Sequence, residues 1–192
     1  MKIVLASASP RRKELIGTIF DEFEQVIPDI DETVPERIEP EEGPEYLAVR
    51  KALKVAEVRK DELVIACDTS VFLDGHVLGK PGDAGDAERM LRLLSGRTHK
   101  VITGCCVWYK RKQVSFSETT LVRFYTLSDN DISEYISTGE PFDKAGAYGA
   151  QGKGMLLVHS VEGDFFNVIG LPVAKLKRVI DTFLKIQEAQ SN

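Results

Sequence analysis

The sequence predicts an α/β fold, and three observations carry that expectation. Continuous apolar runs of strand length, such as Lys2 to Ala6 and Leu63 to Cys67, alternate with stretches of helical periodicity. Clusters of Gly, Pro, Asn and Asp punctuate the junctions between them. A chain of 192 residues, 43% apolar and 29% charged, has the bulk for a real core and the balance of a globular chain, not a fibrous or disordered one.

Taken in order, Lys2 to Ala6 reads as a buried strand. Ser9 as N-cap and Pro10 at the first helical position open a short helix through Ile16, which Gly17 is placed to end. A strand around Phe23 to Ile27 precedes an acidic loop in which Pro28, Pro35, Pro40 and Pro44 are expected to break any regular element. A helix follows from about Glu45 to Lys60. Leu63 to Cys67 is a second buried strand ending at Asp68-Thr69. Val71-Phe72-Leu73, Asp74-Gly75 and Val77-Leu78 then make a tight hairpin closed by Gly79-Lys80-Pro81.

Asp83 to Leu94 reads as a helix stopped by Gly96. Lys100 to Tyr109 and Val114 to Tyr125 read as two long strands in the middle of a sheet, joined by the polar turn Lys110-Arg111-Lys112-Gln113. Ser128 to Asp131 has capping-box spacing and opens a helix that stops near Gly139. Pro141 to Gly154, with Gly146, Gly149, Gly152 and Gly154, forms a long shaped loop. Met155 to His159 and Phe165 to Val168 are expected as a second hairpin around Glu162-Gly163-Asp164. Pro172 to Gln187 is the terminal helix, fraying into a polar tail from about residue 188. No repeat or low-complexity linker interrupts the chain, so residues 1–192 are expected to form one domain, with two lobes around a cleft.

Charge and composition narrow the function. The formal charge of −5 argues against a general nucleic-acid binder. Between Asp21 and Glu45 eleven acidic residues face Arg37 alone, a −10 segment against a +5 remainder. Most of those carboxylates read as a solvated loop. No apolar run approaches the ~18 residues of a spanning helix, and the apolar start is too short for a secretory segment, so the chain is expected in the cytoplasm, away from membranes. Cys67, Cys105 and Cys106 lack C-x-x-C spacing and read as buried free thiols. His76, His99 and His159 have neither ligand nor triad spacing.

Four groups of residues can carry chemistry. Ser7-Ala8-Ser9-Pro10-Arg11-Arg12-Lys13 puts three cations in the first turn of a helix, where they oppose its dipole unless an anion binds there. A phosphate site and a basic surface helix account for it equally well. Asp68-Thr69, after a buried strand, can hold a divalent cation, accept a proton from water, or cap a turn; Glu32 strengthens the first two readings only if folding brings the acids together. Lys51 falls between Leu47, Val55 and Val58 on a helical wheel, so it points into a cleft or snorkels from a core edge. Lys80, held between Gly79 and Pro81, is the better candidate for a fixed phosphate contact. In Phe142 to Gly152, Gln151 offers a carbonyl acceptor beside an NH2 donor. That pair matches N3–H and O4 of uracil or thymine; the alternative is a connector with Gln151 bonded to backbone.

The combination of Ser7-Ala8-Ser9-Pro10-Arg11-Arg12, Asp68-Thr69, Gly79-Lys80-Pro81, Leu94-Ser95-Gly96 and Asp143-Lys144-Ala145-Gly146-Ala147-Tyr148 with Gln151-Gly152 resembles the Maf family of nucleoside triphosphate pyrophosphatases, in its dTTP/UTP branch. The likeness runs from the first strand to Gly170-Leu171-Pro172. It implies an inosine-triphosphatase-like fold, with a long twisted mixed sheet flanked by helices, and hydrolysis of a nucleoside triphosphate to the monophosphate and pyrophosphate. Asp68 matches the proton acceptor, Arg12, Thr69 and Gln151 match positions linked to base specificity, and Glu32, Lys51 and Lys80 match further polar positions of the cleft.

On this resemblance Asp68, Glu32 and Lys80 are the expected catalytic residues. Ser7, Ser9, Arg11, Arg12, Lys13, Lys51, Thr69 and Gln151 are the expected substrate contacts. Glu32 and Asp68 are the expected ligands of a divalent cation, Mg2+ first and Mn2+ or Co2+ next. A homodimer fits the resemblance. Two rival classes stand beside this one: a nucleotide-binding regulator of septum formation without turnover, and a nucleic-acid module using Arg11, Arg12 and Lys13 with Lys110, Arg111 and Lys112. Pyrophosphate release from UTP separates the first rival, and salt-dependent nucleic-acid binding the second.

Overall fold

The computed structural model describes residues 1–189. Thirteen helices and strands follow in chain order, besides short 3-10 turns. They are β1 (Ile3–Ala6), α1 (Pro10–Ile16), β2 (Glu24–Val26), α2 (Gly43–Ala56), β3 (Leu63–Leu73), β4 (His76–Leu78) and α3 (Ala84–Leu94), then β5 (Thr98–Tyr109), β6 (Lys112–Phe124), α4 (Asp129–Ser137), β7 (Val158–Glu162), α5 (Phe165–Ile169) and α6 (Val173–Ala189). The seven strands form one sheet in the order β2-β1-β3-β5-β6-β7, with β4 on β3. The sheet is mixed: β1 pairs in parallel with β2 and β3, whereas β3–β4 and β6–β7 are antiparallel. The expected α/β class and the central placing of the two long strands hold.

The chain divides into two compact units. Unit 1 holds residues 1–68, 103–118 and the chain from 170 onward; unit 2 holds 69–102 and 119–169. In unit 1, the face formed by Val4, Ala6, Val64, Ala66 and Cys106 buries Ala48, Ala52, Val55 and Ala56 of α2. Small residues at that spacing let the helix lie close on the strands. The closest approach is at Gly104 of β5, where a Cβ would stand 2.2 Å from the Glu45 nitrogen. The Glu45 carboxylate then accepts the Ser115 and Ser117 hydroxyls at 2.7 and 2.8 Å, tying the first turn of α2 to β6. In unit 2, Met90, Leu91 and Leu94 of α3 and Ile132 of α4 close over Val71, Leu73, Val101, Val122 and Phe124. Burying each such side chain stabilises by about 1.5–3 kcal/mol.

Five local expectations change. Pro44 does not break structure but sits in the first turn of α2, where its missing N–H has no helical partner to lose; the helix therefore starts at Gly43 and ends at Ala56. β3 does not stop at Cys67: it continues to Leu73 by changing partners, leaving β1 at Ala66 and meeting β4 from Val71. The turn between β5 and β6 is only Lys110-Arg111, both with φ near +50 to +70°, so Lys112 and Gln113 belong to the strand. The glycine-rich segment is not an open loop but three 3-10 turns, Glu140–Asp143, Ala145–Ala147 and Gly152–Leu157. The second hairpin does not form. Val158–Glu162 pairs with β6, while Phe165–Ile169 is a helix because the Asp164 carboxylate caps the Phe166 N–H at 2.8 Å. The terminal helix reaches Ala189; residues 190–192 of the expected tail lie outside the described residues.

Candidate active site

In unit 1, β1 delivers the chain to Ser7, which is buried and fixed by the Gln25 amide donating to its carbonyl at 2.8 Å. Ser7 Oγ accepts the Ser9 N–H at 3.2 Å and Arg12 Nη1 at 3.3 Å, and Arg12 Nε donates to the Gly170 carbonyl at 2.8 Å. Ser9 is the N-cap, its hydroxyl taking the Arg12 N–H at 3.3 Å. The two serines therefore shape the turn and aim Arg12. At this helix start Pro10 has no N–H and the Ser9 cap holds that of Arg12. Arg11 and Arg12 are half-buried and Lys13 is exposed, so three cations remain on one short segment.

The second part is a charge cluster drawn from three places in the chain. Lys51 is buried on the inner stripe of α2, as its helical spacing predicts, and its ammonium lies 2.6 Å from Asp68 Oδ1 and 2.7 Å from Glu32 Oε1. A buried ammonium is costly without anionic partners, and here it has two. Folding thus brings Glu32 and Asp68 together, which spacing alone could not decide. Asp68 lies mid-strand in β3 and not at a strand end, in the gap where β3 exchanges one partner strand for another. There its side chain escapes full burial, at 13% exposure, while Glu32 stands 61% exposed on the acidic loop.

That loop is not merely solvated. Arg50, next to Lys51 on α2, donates to the Asp31 carbonyl at 2.7 Å. The Asp31 carboxylate accepts the Thr33 N–H and hydroxyl at 2.9 and 2.7 Å, and these bonds hold it below the ordinary carboxylate range. Glu32 sits between the two anchors. Arg50 is a residue the sequence motifs do not single out; its place beside the inward Lys51 is the signal that could have found it. Behind Asp68, Cys67 and Cys105 are buried free thiols with sulfurs 3.4 Å apart.

In unit 2, Thr69 is half-buried on β3, and Lys80 and Gln151 are exposed. The turn bearing Lys80 is tied to the glycine-rich segment by the Gly146 N–H donating to the Gly79 carbonyl at 3.0 Å. Among the described residues neither the Lys80 ammonium nor the Gln151 amide has a hydrogen-bond partner, so the reading of Gln151 as bonded to backbone does not hold. The backbone around Gln151 is held instead: the Glu140 carboxylate accepts the Lys153 and Gly154 N–H groups, and the Tyr135 hydroxyl accepts that of Gly149. Sequence reasoning missed both anchors. Deeper in the unit, His99 bonds the Tyr148 hydroxyl at 2.7 Å and burial pushes its pKa down to about 4.

Among the described residues no group of three or more His, Cys, Asp or Glu side chains is placed to hold a metal ion. Glu32 and Asp68 share one ammonium, so a cation already lies between two carboxylates of different segments. Two carboxylates completed by phosphate oxygens and water are the ordinary donor set of Mg2+, and these residues fit it. The cluster can accept a proton, hold a hard cation and pair with phosphate.

Comparison with known proteins gives a consistent result. A dTTP/UTP pyrophosphatase of Bacillus cytotoxicus is 46% identical over 182 residues, 95% of each chain. One of Bacillus pumilus is 45% identical, covering 95% of this chain and 96% of its own. In fold, the chain is similar to a HAM1 protein from Coxiella burnetii, with a TM-score of 0.57 across 95% of this chain and 99% of that one at 15% identity. That likeness bears on architecture alone, and it agrees with the mixed sheet flanked by helices that the sequence motifs imply. The family match spans residues 2–183, and with it the chain belongs to the Maf-like protein family.

Proposed function

We propose that this chain is a nucleoside triphosphate pyrophosphatase acting on dTTP and UTP, the whole chain serving as one catalytic domain. The single observation that carries the reading is the Lys51 ammonium holding Glu32 and Asp68 together at 2.7 and 2.6 Å. The relatives' names supply the substrate class.

In the proposed reaction a water oxygen bonds the α-phosphorus, the bond from that phosphorus to the bridging oxygen of the β-phosphate breaks, and pyrophosphate leaves. Asp68 takes the proton of the attacking water; it is the less exposed of the two carboxylates and stands on a strand, so its position is fixed. Arg11, Arg12, Lys13 and Lys80 neutralise the triphosphate and the charge that grows on the leaving group. Lys51 keeps Glu32 and Asp68 in place and balances their charge. Glu32 and Asp68 would hold a divalent cation, Mg2+ before Mn2+ or Co2+. Such a cation supplies charge neutralisation on the phosphate oxygens and acidifies bound water. Gln151 reads the pyrimidine through its amide, and Thr69 assists at the base. The protein works as a homodimer in the cytoplasm on this reading. Among the described residues no helix is long and apolar enough to cross a membrane.

The test is steady-state pyrophosphate release from UTP and dTTP with Mg2+, in wild type and Asp68→Asn. Loss of a positioned general base lowers turnover by about 10²-fold or more, with the thermal midpoint kept within a few degrees. Near-normal turnover in Asp68→Asn overturns the assignment, and a wild-type protein that binds UTP and releases nothing is a sensor.

A further inference from the structure

The amide of Gln151 is only as selective as the backbone that presents it, and that backbone has one carboxylate at its centre. Glu140 Oε1 accepts the Lys153 N–H at 3.0 Å and Oε2 the Gly154 N–H at 3.3 Å, thirteen and fourteen residues along the chain. Gly152, directly after Gln151, has φ +67°, and a Cβ built there would stand 2.7 Å from Glu140 Oε1. The carboxylate therefore fills the inside of the turn whose rim carries Gln151; a side chain at residue 152 would strain the positive φ and displace that carboxylate.

Glu140 is itself immobilised. Its N–H donates to the Thr138 hydroxyl at 3.1 Å, that hydroxyl donates to the Tyr135 carbonyl at 2.6 Å, and the Glu140 carbonyl accepts the Lys144 ammonium at 2.5 Å. Pro141 follows directly and restricts the chain on that side. The Gln151 side chain, by contrast, is exposed. A free amide on a clamped backbone is what a ligand-reading group needs: no internal bond must break before it engages, and little backbone freedom is lost when it does.

We propose that Glu140 is a positioning residue which, by fixing the turn that carries Gln151, sets the choice of base. This rests on the reading of Gln151 as the base contact given above. Glu140 touches no reacting atom; it acts through two main-chain N–H groups. The substrate class it favours is the pyrimidine with an N3–H donor beside an O4 acceptor, because a fixed amide can meet that pair only from one place.

The test uses the full chain as wild type, Glu140→Ala, Glu140→Gln, Gln151→Leu and the double variant Glu140→Ala/Gln151→Leu. It reads pyrophosphate release from UTP, CTP, ATP and GTP, and hydrogen exchange at the Lys153 and Gly154 amides. In Glu140→Ala both amides exchange roughly tenfold faster or more, and the preference for UTP falls about tenfold, chiefly through KM, the scale of one lost hydrogen bond. Glu140→Gln keeps one acceptor oxygen, so it exposes one of the two amides and recovers part of the preference; it carries both readouts should the alanine variant not fold. In the double variant, Glu140→Ala costs no preference beyond that already lost with Gln151. Amides unchanged in either Glu140 variant, or preference intact in Glu140→Ala while Gln151→Leu loses it, overturn the role of Glu140 and leave the Gln151 reading standing. A wild type without pyrophosphate release, or a Gln151→Leu with unaltered preference, overturns that reading and this inference together.

Discussion

The charge cluster of unit 1 and the glycine-rich turn of unit 2 are built on opposite principles. In the first, Lys51 meets Asp68 seventeen residues away, and Arg12 reaches a carbonyl 158 residues away. In the second, the Glu140 carboxylate finds its partners within fourteen residues, and both are main-chain N–H groups. Ion pairs between side chains can exchange partners when a phosphate or a cation arrives, since each group keeps its charge and its stem can swing. A carboxylate bonded to two backbone N–H groups inside a turn has no such freedom. The contrast suits the proposed chemistry, in which phosphate charge must be met and redistributed while the base is read by a fixed edge.

The largest expected effect breaks the first region at its support. Gly104→Ala puts a methyl 2.2 Å from the Glu45 nitrogen and 2.3 Å from Pro44 C, which are backbone atoms that cannot rotate away. The first turn of α2 must lift off β5, and Lys51 moves with it. A loss of about 3 kcal/mol or more is expected, read from the denaturant midpoint. A loss below about 1 kcal/mol shows that α2 is not seated there.

The next effect loads the second region. Burial drives the His99 pKa down to about 4 in the folded protein, against about 6.5 in the unfolded chain, so the unfolded chain binds the proton first. This contribution is whole above pH 6.5, falls by about 2 kcal/mol by pH 5, and is exhausted once pH drops below about 4. The His99 ring bonds Tyr148, beside the Gly149 anchor, so acid loosens this region from within. Stability measured at pH 7.5 and pH 5 in wild type and His99→Gln isolates the effect; equal pH slopes in the two proteins refute it.

The smallest effect sharpens the comparison. Arg50→Ala removes one exposed bond to the Asp31 carbonyl and is expected to cost under about 1 kcal/mol of stability. If the Glu32 loop is held by charge and few bonds, this variant weakens Mn2+ binding, measured by calorimetry, by roughly threefold to tenfold, on the scale of one hydrogen bond. Unchanged affinity means Lys51 alone holds Glu32.

Much of the architecture was legible because its signals are local. Ser9-Pro10 starts α1, Ser128 with Asp131 forms the capping box of α4, Asp74-Gly75 makes the hairpin, and the helical wheel turns Lys51 inward. The failures share a cause as well. β3 runs past Cys67 because hydrogen-bond partners change along it, and apolar Phe165-Phe166 coils into a helix because Asp164 caps it. An apolar run shows that a segment is buried, but its partners decide the shape it takes. Glu140 went unread because a glutamate before a proline looks like any surface acid until the turn closes on it.

By itself, then, the order of residues determined the α/β class, the caps of α1 and α4, the Asp74-Gly75 turn, the inward lysine and the family motifs, all of which depend on neighbours within a few positions or on patterns repeated along the chain. Only tertiary structure decided that Glu32 and Asp68 share one ammonium, that Asp68 sits mid-strand, and that Glu140 fills the turn beneath Gln151. The physical reason is that ion pairing and close backbone approach act through space over a few ångströms, and the chain distance between such groups carries no record of it.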